Sequence, residues 1–104
     1  MNLADVLQYI EQEEWVLLYF KNNHCSVCGV LLLKVQVLLL RFPKIKILVI
    51  DTDECLNIAA SFNIYSAPAL MVYIDGKEYI REAGIMSVTK LEQDIKRLDG
   101  LFNQ

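Results

Sequence analysis

Apolar residues recur at Leu3, Val6, Leu7 and Ile10, the spacing of one helix face, until the acidic run EQEE interrupts them. With Asn2 placed to cap it, a first helix is predicted over residues 3–13. The period then changes. WVLLYF, residues 15–20, is continuously apolar and rich in aromatic and branched side chains, the pattern of a central strand covered on both faces. From Cys25 to Arg41, leucines and valines occupy nearly every side of a helical projection. This predicts a helix over 25–41 packed more deeply than an ordinary amphipathic one, or alternatively one that shows an apolar patch to a partner. Pro43 blocks its continuation, and KIKILVID predicts a second buried strand over 45–51.

In DTDECLNIAASF, Asp51 or Thr52 can cap a third helix, with Asp53 and Glu54 in its first turn, where carboxylates favour the helix dipole. That role accounts for the acidic cluster without a metal. Two strands follow, 69–74 and 78–82, around Asp75-Gly76, a dipeptide preferred in tight hairpins. Ser87 caps a last helix whose stripe is Val88, Leu91, Ile95 and Leu98. The order is therefore α-β-α-β-α-β-β-α. The β-α-β crossover makes the first two strands parallel, and the hairpin completes a mixed four-stranded sheet with helices on both faces, an α/β fold.

Composition narrows the classes. A chain of 104 residues is expected to form one domain, residues 1–104, and 55% hydrophobic against 22% charged residues excludes a disordered chain. Ten Lys and Arg against thirteen Asp and Glu give a net charge of -3 with no basic cluster, which argues against nucleic acid as a partner. Lys34, Gln36 and Arg41 interrupt the greasiest segment well short of the roughly 18 apolar residues of a membrane span. The N-terminal segment lacks the pattern of a signal peptide, so a cytoplasmic location is expected. Three cysteines are too few for a disulfide scaffold and suggest a reactive or metal-binding pair with one to spare.

Cys25 and Cys28 stand at the predicted start of the second helix. Such a pair serves as a redox couple, half of a metal site, or packing. Three residues of helix return side chains to nearly the same face, so the two thiols can close into a disulfide and open again with little backbone movement. In a first turn, Cys25 would meet unpaired amide N–H groups and the positive helix end, which stabilise a thiolate; Cys28 is then the natural resolving thiol. A zinc site wants four ligands, and only His24 and Cys55 are available to join the pair. His24 at the site mouth would favour the Cys25 thiolate when protonated, or would stand in solvent with little effect. Cys55 reads as a small hydrophobe or first-turn residue, or as a regulatory thiol. Tyr19, Trp15 and Phe20 read as core aromatics.

HCSVCG after the strand VLLYF, then ILVIDTDE, Ala67-Pro68 ahead of the hairpin, Asp75-Gly76 in its turn and Gly84 before the last helix together resemble the thioredoxin family over nearly the whole chain. The resemblance implies a thioredoxin-like fold that lacks the first strand of longer members. It also implies a cis Pro68 beside the cysteines and backbone groups at Ala67 offered to an extended substrate. Several positions depart from the family. His24 replaces a tryptophan, Ser26-Val27 a Gly-Pro, Tyr19 a buried acid, Ile47 a lysine and Leu33 a kinking proline.

The activity expected is thiol-disulfide exchange, with Cys25 and Cys28 catalytic and His24, Ala67 and Pro68 contacting substrate. Substrates would be protein or small-molecule disulfides, and electrons would come from a reductase or a low-molecular-weight thiol. No metal or prosthetic group is required. The rival reading keeps the fold as an interaction module, the leucine-rich helix forming a partner or dimer surface.

Overall fold

The fold is described for residues 1–103 of a computed structural model. Helix α1 spans Leu3–Gln12, and its start is closed by a capping box: the Asn2 side chain accepts the Asp5 N–H while the Asp5 carboxylate accepts the Asn2 N–H. Strand β1, Trp15–Lys21, leads into helix α2, Cys28–Leu39, and strand β2, Ile45–Asp51. Helix α3, Leu56–Ser61, precedes the hairpin of β3, Ala69–Ile74, and β4, Lys77–Ala83. Helix α4, Val88–Phe102, closes the fold behind its Ser87 cap. The hairpin turn places Asp75 and Gly76 at φ 51° and 79°, the left-handed region that a two-residue turn of this hand needs.

The sheet order is β2-β1-β3-β4, with β1 parallel to β2 and the other neighbours antiparallel. Side chains alternate across the sheet. Trp15, Leu17 and Tyr19 face α2 and α4; Val16, Leu18 and Phe20 face α1 and α3. Strand β1 is thus covered on both sides, as its unbroken apolar run predicts. The last helix buries Leu91, Ile95 and Leu98 on the predicted stripe.

Three expectations are corrected. Strand β2 is an edge strand, bonded only to β1: Ile45 and Ile50 are buried, but Lys46 is exposed and residues 47–49 are half-buried. Helix α2 begins at Cys28, not Cys25, and packs on one side only. Val35, Leu38 and Leu39 are buried while Val30, Leu33, Val37 and Leu40 lie exposed, because a sheet of this width supplies one covering layer, with α4 beside it. Its last turn tightens through i to i−3 bonds from Leu40, Arg41 and Phe42 before Pro43. The third helix starts later than expected, with Cys55 at its cap position. Asp51 instead closes the turn before it, accepting the N–H groups of Asp53 and Glu54 at 2.9 and 3.3 Å.

Candidate functional site

The segment between β1 and α2 carries the cysteines, and neighbouring elements hold it at both ends. Thr52, just past β2, donates its N–H to the Lys21 carbonyl at 2.8 Å, and the Asn23 N–H donates to the Asp53 carboxylate at 3.1 Å. The Asn22 side chain accepts the His24 N–H at 3.0 Å. Cys25 to Val27 form a turn ahead of the helix, and no side chain caps α2 at Val27. Cys25 and Cys28 are joined as a disulfide with their Cα atoms 5.4 Å apart.

The two sulfurs sit in different surroundings. Cys25 is half-exposed, whereas Cys28 is 2% exposed. Beneath Cys28, the buried Tyr19 hydroxyl donates to the Cys28 carbonyl at 2.6 Å. Burial pushes the Tyr19 phenol above the ordinary tyrosine value, so it stays protonated through neutral pH and offers a donor where a carboxylate would offer an acceptor. Asp51, at the end of β2, is opposed by desolvation, but the amides of Asp53 and Glu54 and the Lys21 ammonium outweigh it and hold the carboxyl below its usual range.

The segment before β3 lies beside the end of β1, since Ala69 pairs with Phe20. The Ala67–Pro68 peptide is cis, Pro68 is buried and Ala67 half-exposed. The Pro68 carbonyl accepts the N–H of Gly84 at 2.8 Å, and Gly84 holds φ 75°, a conformation glycine adopts without strain. Val27, Leu31, Pro68, Gly84, Ile85 and Met86 line a shallow groove of about 160 Å³. The residue before Cys28 and the proline, distant in sequence, therefore share one surface. His24 is exposed, and its imidazole makes no hydrogen bond among the described residues. Cys55 is a half-buried free thiol packed at the edge of the α1/α3 core. The groove residues Ile85 and Met86 were not foreseen. The available signal was the apolar pair Ile85-Met86 between Gly84 and the Ser87 cap, on no helical or strand stripe. Among the described residues, no three His, Cys, Asp or Glu side chains are gathered to hold a metal, and no helix is long and apolar enough to cross a membrane.

A disulfide at the start of the helix in a parallel β-α-β unit, with a cis proline on the groove that Val27 lines, accords with the sequence profile of the thioredoxin family, which matches residues 2–97. The chain belongs to the thioredoxin family. Thioredoxin-like protein YdfQ of Bacillus subtilis (strain 168) is 32% identical over 101 residues, covering 97% of this chain and 90% of that one. Thioredoxin of Chlamydia trachomatis serovar D is 28% identical over 88 residues, covering 77% and 86%. Among solved structures, thioredoxin 1 from the thermophilic eubacterium Thermosipho africanus TCF52B superposes with a TM-score of 0.80 at 30% identity, covering 86% of this chain and 99% of that one. Membership of this family, with the C-x-x-C pair at disulfide distance, makes the protein a thiol-disulfide oxidoreductase; disulfides are its substrates and reductases its partners in general terms.

Proposed function

We propose that Cys25 is the attacking thiol and Cys28 the resolving thiol. The difference in exposure carries this assignment: a substrate disulfide can reach the half-exposed Cys25 but not Cys28, which is 2% exposed. In the reduced protein, the Cys25 thiolate attacks one sulfur of a substrate disulfide, forming a mixed disulfide and releasing one substrate thiolate. The Cys28 thiolate then attacks the Cys25 sulfur and releases the second. Two electrons pass from the cysteine pair to the substrate, and the two protons lost by the cysteines balance those taken up by the product thiols. The amide end of α2 favours the anion at each stage.

In this reading an extended segment of substrate meets Pro68, which lines the groove, its neighbour Ala67, and the exposed His24. Substrates are protein or small-molecule disulfides, and a reductase or a low-molecular-weight thiol returns the pair to its reduced form. Residues 1–104 act as one unit, in a reducing compartment such as the cytoplasm, where the Cys55 thiol remains free.

Reduction of a disulfide-bridged peptide by excess dithiol tests the roles. The wild-type protein turns it over and Cys25→Ser does not. Cys28→Ser, reduced and then freed of dithiol before the peptide is added, accumulates a peptide adduct on Cys25, visible by mass spectrometry. Turnover by Cys25→Ser equal to wild type, or a peptide adduct on Cys28 of the Cys25→Ser protein with none on Cys25 of Cys28→Ser, refutes the assignment.

A further inference from the structure

Two open cavities, of about 490 and 380 Å³, lie side by side between α2 and the start of α4. Both are lined by Lys34 and Val88, so they form one trough. It begins at Ser26 and Val27, the two residues between the cysteines, and ends at Arg41 below the C-terminus of α2. Val30, Leu33 and Val37 along it are 58%, 64% and 64% exposed. With Leu40 they recur at intervals of three and four residues, the seam by which one helix packs against another. An apolar stripe of this kind on a small protein marks a contact surface.

Charge selects the occupant. Lys34, midway along, makes no ion pair among the described residues. Arg41 and Lys96 share the single carboxylate of Glu92. This face therefore carries cationic surplus on a protein whose net charge is -3. A second copy docked about a two-fold axis through the middle of the trough would set Lys34 close to Lys34 of its twin, because residues at such an axis meet their own copies. Like charges oppose that arrangement, and a carboxylate-bearing helix meets no such repulsion.

We propose that this trough docks an amphipathic helix of a protein substrate, its apolar face on Val30, Leu33 and Val37 and a carboxylate on Lys34, next to the disulfide that Cys25 attacks. The proposal rests on the reading of Cys25 as the attacking thiol. It divides recognition in two: the Pro68 groove holds the segment around the reacting sulfur, and the trough selects which proteins bring it there.

Three synthetic peptides test it, each with one cysteine in mixed disulfide with thionitrobenzoate followed by a two-heptad helix. One helix has a leucine stripe flanked by glutamates, the second has the glutamates changed to lysine, and the third has the leucines changed to serine. Release of thionitrobenzoate by the reduced protein is divided by its rate on the symmetric small disulfide of the same chromophore, which reports thiol chemistry alone. The leucine-glutamate peptide is expected to react about tenfold faster on this scale than either of the others, the scale of burying one or two side chains with an ion pair. Lys34→Glu is expected to reverse the preference between glutamate and lysine peptides, and Val37→Ser to remove the advantage of leucine over serine. Equal normalised rates for the three peptides overturn the proposal, as does a dimer at assay concentration that Val37→Asp dissociates. A Cys25→Ser protein that still reacts with the small disulfide at the wild-type rate defeats the assignment of the attacking thiol instead.

Discussion

Tyr19 sits in the core with its hydroxyl on the carbonyl of Cys28, so a single side chain ties the central strand to the first turn of the redox helix. An acid there could accept a proton from the resolving thiol; a buried phenol with a raised pKa holds its own. Its role is therefore positional. Tyr19→Phe keeps the ring and removes the hydrogen bond, and is expected to lower stability by about 1 kcal/mol, the net worth of one buried bond, measured by urea unfolding. Peptide disulfide reduction should persist within about threefold, since no proton passes through the hydroxyl. A folded variant with activity abolished would contradict the positional role. The core placement of Tyr19 could be read from WVLLYF, but its partner could not: nine residues separate Tyr19 from Cys28, and their meeting depends on how α2 lies across β1.

Among elements, the turn after β2 shows how a local signal can be right in kind and displaced in place. Asp51 caps, as its position suggested, but it caps the turn 52–54, while α3 begins a turn later. That turn also anchors the cysteine segment through Asp53 and Asn23. Because the Asp51 carboxyl titrates below its ordinary value, the folded state keeps it ionised where the unfolded chain already binds a proton. The resulting stability is complete above the unfolded value of about 3.9 and fades as pH falls through the lower folded one. Asp51→Asn, which retains an acceptor for the amides but loses the charge beside Lys21, is expected to unfold at lower urea than wild type at pH 7. The two midpoints should converge as the pH is lowered below about 4. A gap that persists unchanged in acid would place the contribution in packing, not in charge.

For the whole molecule, the sheet divides the core into two clusters, and α2 belongs to only one of them. Ile95, fully buried between α4 and the sheet, is expected to cost about 2–5 kcal/mol when cut to alanine. Leu33→Ala, on the open face of α2, should change stability by no more than about 0.5 kcal/mol. Trp15, the one tryptophan, is buried in the Ile95 cluster, so its fluorescence during denaturant unfolding reads both variants. A large loss at Leu33 would show that something covers the stripe in the free protein.

Sequence alone determined the kind and order of the elements, the parallel and antiparallel pairings and the placing of Cys25 and Cys28 beside a helix start. Hydrophobic period, caps and turn chemistry act within a few residues and are written locally. Only the tertiary structure decided that β2 lies at an edge, that Val30, Leu33 and Val37 of α2 face solvent and that the Tyr19 hydroxyl meets the Cys28 carbonyl. Those outcomes depend on how many strands and layers the chain has available to cover each face, which is settled by contacts between residues distant in sequence.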